Sequence, residues 1–196
     1  MDGIKYLLDD THIHVNDEGG FKWTSSVYLR IVKYLINFNK KINIHAYNED
    51  GFRWACAKGH KHIVEYLVNL YKNNPIYAKI NIHVYDEEGF RLACENGHLN
   101  MVEYLINLHK IRPYAKINIH INNEYGFRSA CENGHKHIVK YLINLYKMNP
   151  NYAKIDIHML TESGFNWVYY KGHKHIVKYL ISLGCCSNIY KHTMHL

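Results

Sequence analysis

The sequence is periodic, and the period leaves few folds open. Gly-Phe recurs at Gly20-Phe21, Gly51-Phe52, Gly89-Phe90, Gly126-Phe127 and Gly164-Phe165, with the phenylalanines 31, 38, 37 and 38 residues apart. A segment Ile/Met-Val-x-Tyr-Leu recurs at Ile31–Leu35, Ile63–Leu67, Met101–Leu105, Ile138–Leu142 and Ile176–Leu180. An x-Ile-His segment ends at His14, His45, His83, His120 and His158. Three markers on one period describe an array of similar units, each burying its apolar side only against its neighbours.

Each unit reads as two short helices and an extended return. In residues 46–83, Asn48 or Asp50 is placed to cap a first helix, on which Phe52, Ala55 and Cys56 fall at i, i+3, i+4. Gly59 stops that helix, because glycine adopts the left-handed conformation without a Cβ penalty. A second helix starts near His60, with Ile63, Val64, Leu67, Leu70 and Tyr71 as its apolar stripe, and Pro75 closes it. Ile80 and Ile82 then alternate with Asn81 and His83 in an extended stretch, and Tyr85–Gly89 reads as a polar turn. The expected fold is an all-α solenoid of stacked helix pairs with short extended or hairpin connections. It is one domain over 1–196: a partial repeat at 1–14, then repeats at approximately 15–45, 46–83, 84–120, 121–158 and 159–196. The opening half-unit exposes an apolar edge unless Trp23, Tyr28 or the N-terminal segment folds over it; that edge is expected to self-associate or to have once continued into further repeats.

The run Ala-Cys-x-x-Gly-His-x-x-Ile/Met-Val-x-Tyr-Leu, at Ala55–Leu67, Ala93–Leu105 and Ala130–Leu142, resembles the ankyrin repeat. Trp167–Leu180 keeps Gly172-His173 but has Val168 at the alanine position. The idiom Gly-Phe-Arg-x-Ala-Cys-Glu-Asn-Gly-His is similar to that of ankyrin-repeat proteins of giant DNA viruses. The richness in Asn, Ile, Lys and Tyr (21, 22, 19 and 18 residues) agrees with such a source, since these residues share A/T-rich codons. The period exceeds the ~33 residues of the family. The surplus falls at Tyr71–Lys79, Lys110–Lys116 and Tyr146–Lys154, and reads as one extra helical turn plus a proline turn at Pro75, Pro113 and Pro150. A tetratricopeptide array is the structural alternative, but it lacks the extended return.

The resemblance implies a non-catalytic module that binds a protein partner, a host protein if the chain is viral, through the concave face of hairpin tips and first helices. By position it implies Tyr47, Glu49 and Lys58; Tyr85, Glu87 and Asn96; Asn122, Glu124 and Asn133; and Leu160, Glu162 and Lys171 as partner-binding residues. The alternative is a nucleic acid or another anionic surface, bound through the Arg53, Arg91, Arg128 and Lys79, Lys116, Lys154 ladders. Against it, Glu95 and Glu132 stand four residues after Arg91 and Arg128, where they can pair within the helix. The formal net charge of +7 is consistent with A/T-rich codon usage.

Enzymatic chemistry finds no motif: no phosphate-binding loop, no nucleophile elbow, no His-Glu-x-x-His. No cofactor and no metal site are expected. Among the sixteen histidines, His45, His83, His120 and His158 form one ladder and His60-x-His62, His135-x-His137 and His173-x-His175 another. Equivalent rungs are about one helix spacing (~8–10 Å) apart, too far to share a zinc ion, and i, i+2 within a helix do not face each other. Their expected roles are bracing second helices, at Gly-His, and lining the connections, at x-Ile-His. Cys56, Cys94 and Cys131 share one small apolar slot, while Cys185 and Cys186 stand apart. Unpaired cysteines and the lack of a secretory signal pattern suggest an intracellular setting, whether host cytoplasm, nucleus or virion. No apolar run approaches the ~18–20 residues of a membrane span.

Overall fold

The computed structural model describes residues 29–38, 43–74, 76–111 and 114–185. The opening half-unit, Trp23, Tyr28, Pro75, Pro113 and Cys186 lie outside them. The helices are α1 (Leu29–Phe38), α2 (Ala46–Ala57), α3 (Lys61–Asn73), α4 (Val84–Glu95), α5 (Leu99–Asn107), α6 (Ile121–Glu132), α7 (Lys136–Met148), α8 (Glu162–Tyr170) and α9 (Lys174–Ser182). Two 3₁₀ turns, Leu108–Lys110 and Ile157–Met159, complete the set, and no strand occurs among the described residues. The fold is all-α. The chain forms two compact units, Met1–Gly89 and Phe90–Leu196, with the division inside α4.

Within each unit, helices pack in neighbouring pairs: α2 with α3 and α1 with α3 in the first; α6 with α7, α8 with α9, α6 with α8, and α7 with both α5 and α9 in the second. The repeat markers supply the core. Phe52, Phe90, Phe127 and Phe165 are fully buried, as are Ala55, Ala93 and Ala130. Burying one such phenylalanine stabilises by roughly 1.5–3 kcal/mol. The glycines before Phe90 and Phe127 have a packing reason. A β-carbon at Gly89 would stand 2.8 Å from the Phe52 ring, and one at Gly126 2.8 Å from the Phe90 ring.

Second helices bury one stripe, Ile63, Val64, Leu67, Val68 and Leu70 in α3 and Ile138, Val139, Leu142, Ile143 and Leu145 in α7. Tyr71, expected in that stripe, is only half-buried, because Val68 takes the inward position. Gly59, Gly97, Gly134 and Gly172 have φ between +71° and +87°, which ends each first helix. The returns are extended without pairing: Ile80, Ile82, Ile117, Ile119 and Ile155 point inward, and the intervening Asn81 and Asn118 are exposed.

Two of the three surplus segments contain an extra helical turn, since α3 and α7 run thirteen residues each; α5 runs nine and continues only as the 3₁₀ turn Leu108–Lys110. The segments also do something the pattern did not suggest. Tyr77, Tyr114 and Tyr152 are buried at 3–6% exposure. The Tyr77 hydroxyl donates to the Ile36 carbonyl at 3.3 Å, and that of Tyr152 to the Ile106 carbonyl at 2.9 Å. Each insertion in these two cases latches onto the second helix of the preceding repeat.

Candidate functional site

The turn that opens α2, α4 and α6 has an unexpected backbone. Tyr47-Asn48-Glu49, Tyr85-Asp86-Glu87 and Asn122-Asn123-Glu124 lie in the left-handed region, with φ from 48° to 62°. Three consecutive non-glycine residues there cost about 1–2 kcal/mol each. The expected caps at Asn48 or Asp50 are therefore replaced by a left-handed turn that feeds the helix. Asn and Asp, which tolerate this region best, occupy its middle position every time.

Side chains hold the turn from both sides. Its last residue, Glu49, Glu87 or Glu124, is buried at 5–6% exposure. The carboxylates meet the Nδ1 atoms of His45 at 2.9 Å, His83 at 2.9 Å and His120 at 2.7 Å. They also reach the extended return that closes the same repeat. Glu49 accepts from the Asn81 backbone N–H at 2.9 Å, and Glu124 from that of Asp156 at 3.2 Å. His45, His83 and His120 are thus partners of a buried carboxylate. The arginine ladder works on the same turns. Arg53 donates to the carbonyls of Asn48 at 3.0 Å and Tyr47 at 3.1 Å, and pairs with Asp50 at 2.9 Å and with Glu88. Arg128 donates to the Asn123 and Asn122 carbonyls at 2.9 and 3.4 Å. Arg91 lies 4.9 Å over the Tyr125 ring, and Glu95 accepts from the Tyr125 hydroxyl at 3.4 Å. The arginines serve the turns and the neighbouring tyrosines; the helical pairing expected of Arg128 with Glu132 is replaced by these carbonyl bonds.

The last repeat departs. Thr161 caps α8 through its Oγ1, which accepts from the Gly164 N–H at 3.4 Å, and a 3₁₀ turn replaces the left-handed one. Leu160 consequently points inward at 2% exposure. Of the anticipated partner-binding residues, Leu160, Glu49, Glu87 and Glu124 are therefore interior and are removed from the accessible surface. The side chain of Glu162 lies outside the described residues.

The exposed remainder is chemically coherent. Tyr47 and Tyr85 are 62% and 53% exposed at the turn tips of the first unit. Tyr85 is oriented by Arg53, 5.0 Å over its ring, and by Asn48, whose amide donates to its hydroxyl. Lys58 sits 5.7 Å over Trp54, and Lys171 sits 5.1 Å over Trp167. Asn122 is exposed; Asn96 and Asn133 are exposed with their amides returned to the Leu92 and Ser129 carbonyls at 2.8 and 3.0 Å. The outward rings of Trp54, Trp167 and Tyr170 were not among the anticipated residues. The signal for the two tryptophans was a lysine four residues on, at the end of a first helix.

The Gly-His histidines make no cap bond at the start of second helices. In the second unit His135 braces the preceding first helix, with Nε2 2.8 Å from the Glu95 carbonyl. Burial pushes the Cys56, Cys94 and Cys131 thiols well up, so they stay protonated and unreactive. Cys185 is buried, and its thiol donates to the Ile157 carbonyl at 3.3 Å. Among the described residues, no group of three or more His, Cys, Asp or Glu is placed to hold a metal ion, and no helix is long and apolar enough to cross a membrane.

The family model for ankyrin repeats (3 copies) matches residues 23–121 and 90–191. No curated protein matches the chain significantly.

Proposed function

The chain belongs to the ankyrin-repeat family, and on that premise we propose that it is a non-catalytic module binding one protein partner through its turn tips and first helices, the concave side of such stacks. Ankyrin repeats are generally protein-interaction modules and typically non-catalytic. The observation that carries the reading here is the exposed aromatic set on those elements, Tyr47, Tyr85 and Trp54 in the first unit and Trp167 and Tyr170 in the second. Large rings presented by a rigid backbone are the side chains that most often anchor interfaces. Lys58, Asn96, Asn122, Asn133 and Lys171 supply the polar surroundings.

The Gly-Phe-Arg idiom and the A/T-rich residue usage support a viral source, an intracellular or virion location and a host protein as partner. Against a nucleic-acid partner, the Arg53 and Arg128 guanidinium groups are committed to turn carbonyls.

The test is capture from cell lysate at low and moderate salt, with nuclease, read by mass spectrometry. A single protein retained throughout, and lost with Trp54→Ala or Trp167→Ala, is the expected result. Loss of all material on nuclease treatment overturns it in favour of nucleic acid.

A further inference from the structure

We infer that the second helices of the last two repeats form a separate docking surface for an acidic protein segment. In the first unit, Lys61 pairs with Glu65 one turn on, at 3.4 Å. The corresponding position is Glu103 in α5 but Lys140 in α7 and Lys178 in α9. Both helices read Lys-His-Ile-Val-Lys and contain no acidic residue. Lys136 and Lys140, and likewise Lys174 and Lys178, are therefore like charges at i, i+4, an arrangement that weakens a helix where Lys61–Glu65 supports one.

The two helices pack together within the second unit. Lys140 leans from α7 onto α9, 5.4 Å over the Tyr179 ring, so the surface is continuous between them. Lys140, Lys174 and Lys178 are exposed and Lys136 half-exposed, with His137 and His175 exposed beside them. Among the described residues none of these four lysines has an ion-pair partner. Rows of lysines about 5–6 Å apart along each helix, with the rows about 8–10 Å apart, match carboxylates spaced at i, i+4 on a partner helix. The inference rests on the protein-interaction reading but uses a different surface from the turn tips and first helices.

The test uses the full chain, with poly-L-glutamate and duplex DNA as probes, by fluorescence anisotropy at low and moderate salt. The variant Lys140→Glu/Lys178→Glu recreates the Lys61–Glu65 pairing in both helices, so it keeps its fold, checked by circular dichroism. The control Lys72→Glu/Lys154→Glu makes the same change in net charge elsewhere. Expected is a loss of poly-L-glutamate affinity of at least roughly tenfold in the first variant, with the control and Trp54→Ala close to wild type. Equal losses in variant and control reduce the effect to net charge and overturn the inference. Absence of poly-L-glutamate binding, or tighter DNA binding lost in the same variant, also overturns it. Lysate capture lost only with Trp54→Ala or Trp167→Ala tests the proposed function and leaves this surface untouched.

Discussion

The ring of His135 rests directly on Gly97: a β-carbon at Gly97 would stand 2.6 Å from its Cε1 and Nδ1. The same ring holds the Glu95 carbonyl at 2.8 Å, so glycine and histidine of successive repeats are locked as a pair. At Gly172 the backbone is equally left-handed, with φ +87°, but nothing lies within 4 Å. Gly172→Ala is therefore expected to cost only the conformational penalty of about 1–2 kcal/mol. Gly97→Ala adds displacement of the His135 ring and the loss of its carbonyl bond, a further ~1 kcal/mol or more. Urea unfolding of the two variants side by side checks the order; equal losses refute the packing role of His135.

Glu124 joins the turn that opens its repeat to the return that closes it, accepting from His120 at 2.7 Å and from the Asp156 N–H at 3.2 Å. Glu124→Ala leaves both donors without this carboxylate and is expected to destabilise by about 2–3 kcal/mol. Glu124→Gln keeps an acceptor oxygen and should lose less. Hydrogen exchange at the Asp156 amide reports the broken link directly: faster exchange in the alanine variant, near wild type in the glutamine one.

Tyr152→Phe removes one hydroxyl from a buried site and one of two side-chain bonds to the Ile106 carbonyl, which keeps His109 Nδ1 at 2.8 Å. A loss of about 1–2 kcal/mol is expected, measured by chemical denaturation. A neutral result refutes the latch as an energetic link between repeats.

His173 has its pKa lowered from the ordinary 6.5, first by burial, then by His175, Lys171 and His135, with a bond to the Glu132 carbonyl acting the other way. The folded chain takes up this proton less readily than the unfolded one. The resulting stability is whole above pH 6.5 and is lost as the pH falls through the folded value. Melting temperatures of wild type and His173→Gln, compared at about pH 7.5 and 5.5, should show a smaller acid-induced drop in the variant. An identical drop excludes His173 as a contributor.

Cys56, Cys94 and Cys131 are fully buried with raised pKa values. Iodoacetamide at neutral pH should modify them only after denaturant is added. Mass spectrometry of native and unfolded samples reads this, and native labelling at any of the three contradicts their burial.

The helices were legible in the sequence because their signals are local. Gly-His marks a positive φ, and Ile-Val-x-Tyr-Leu marks a buried stripe within one turn. A polar turn was legible at Tyr85–Gly89, but the left-handed torsions of the turns were not, because Tyr-Asn-Glu-Asp and Asn-Asn-Glu-Tyr read equally well as the start of an ordinary helix. What selects the turn is a carboxylate bonded to a backbone N–H 32 residues away. The only local trace was Asn or Asp in the central position. Leu160 was misplaced by carrying over the position of Tyr47, when Thr161 gives that repeat a different start. The tyrosine latches hid in segments read as connections, although Tyr77, Tyr114 and Tyr152 are each followed by Ala-Lys.

The arginine-held turns bear on how a partner would be met. A loop that must choose its torsions on contact gives up chain freedom at that moment and weakens the complex accordingly. At Tyr47 and Asn122 the neighbouring carbonyls are already tied down by Arg53 and Arg128. Folding has settled those torsions before any encounter, so these tips meet a visitor as fixed teeth, and residence time more than capture rate would register the loss of either arginine.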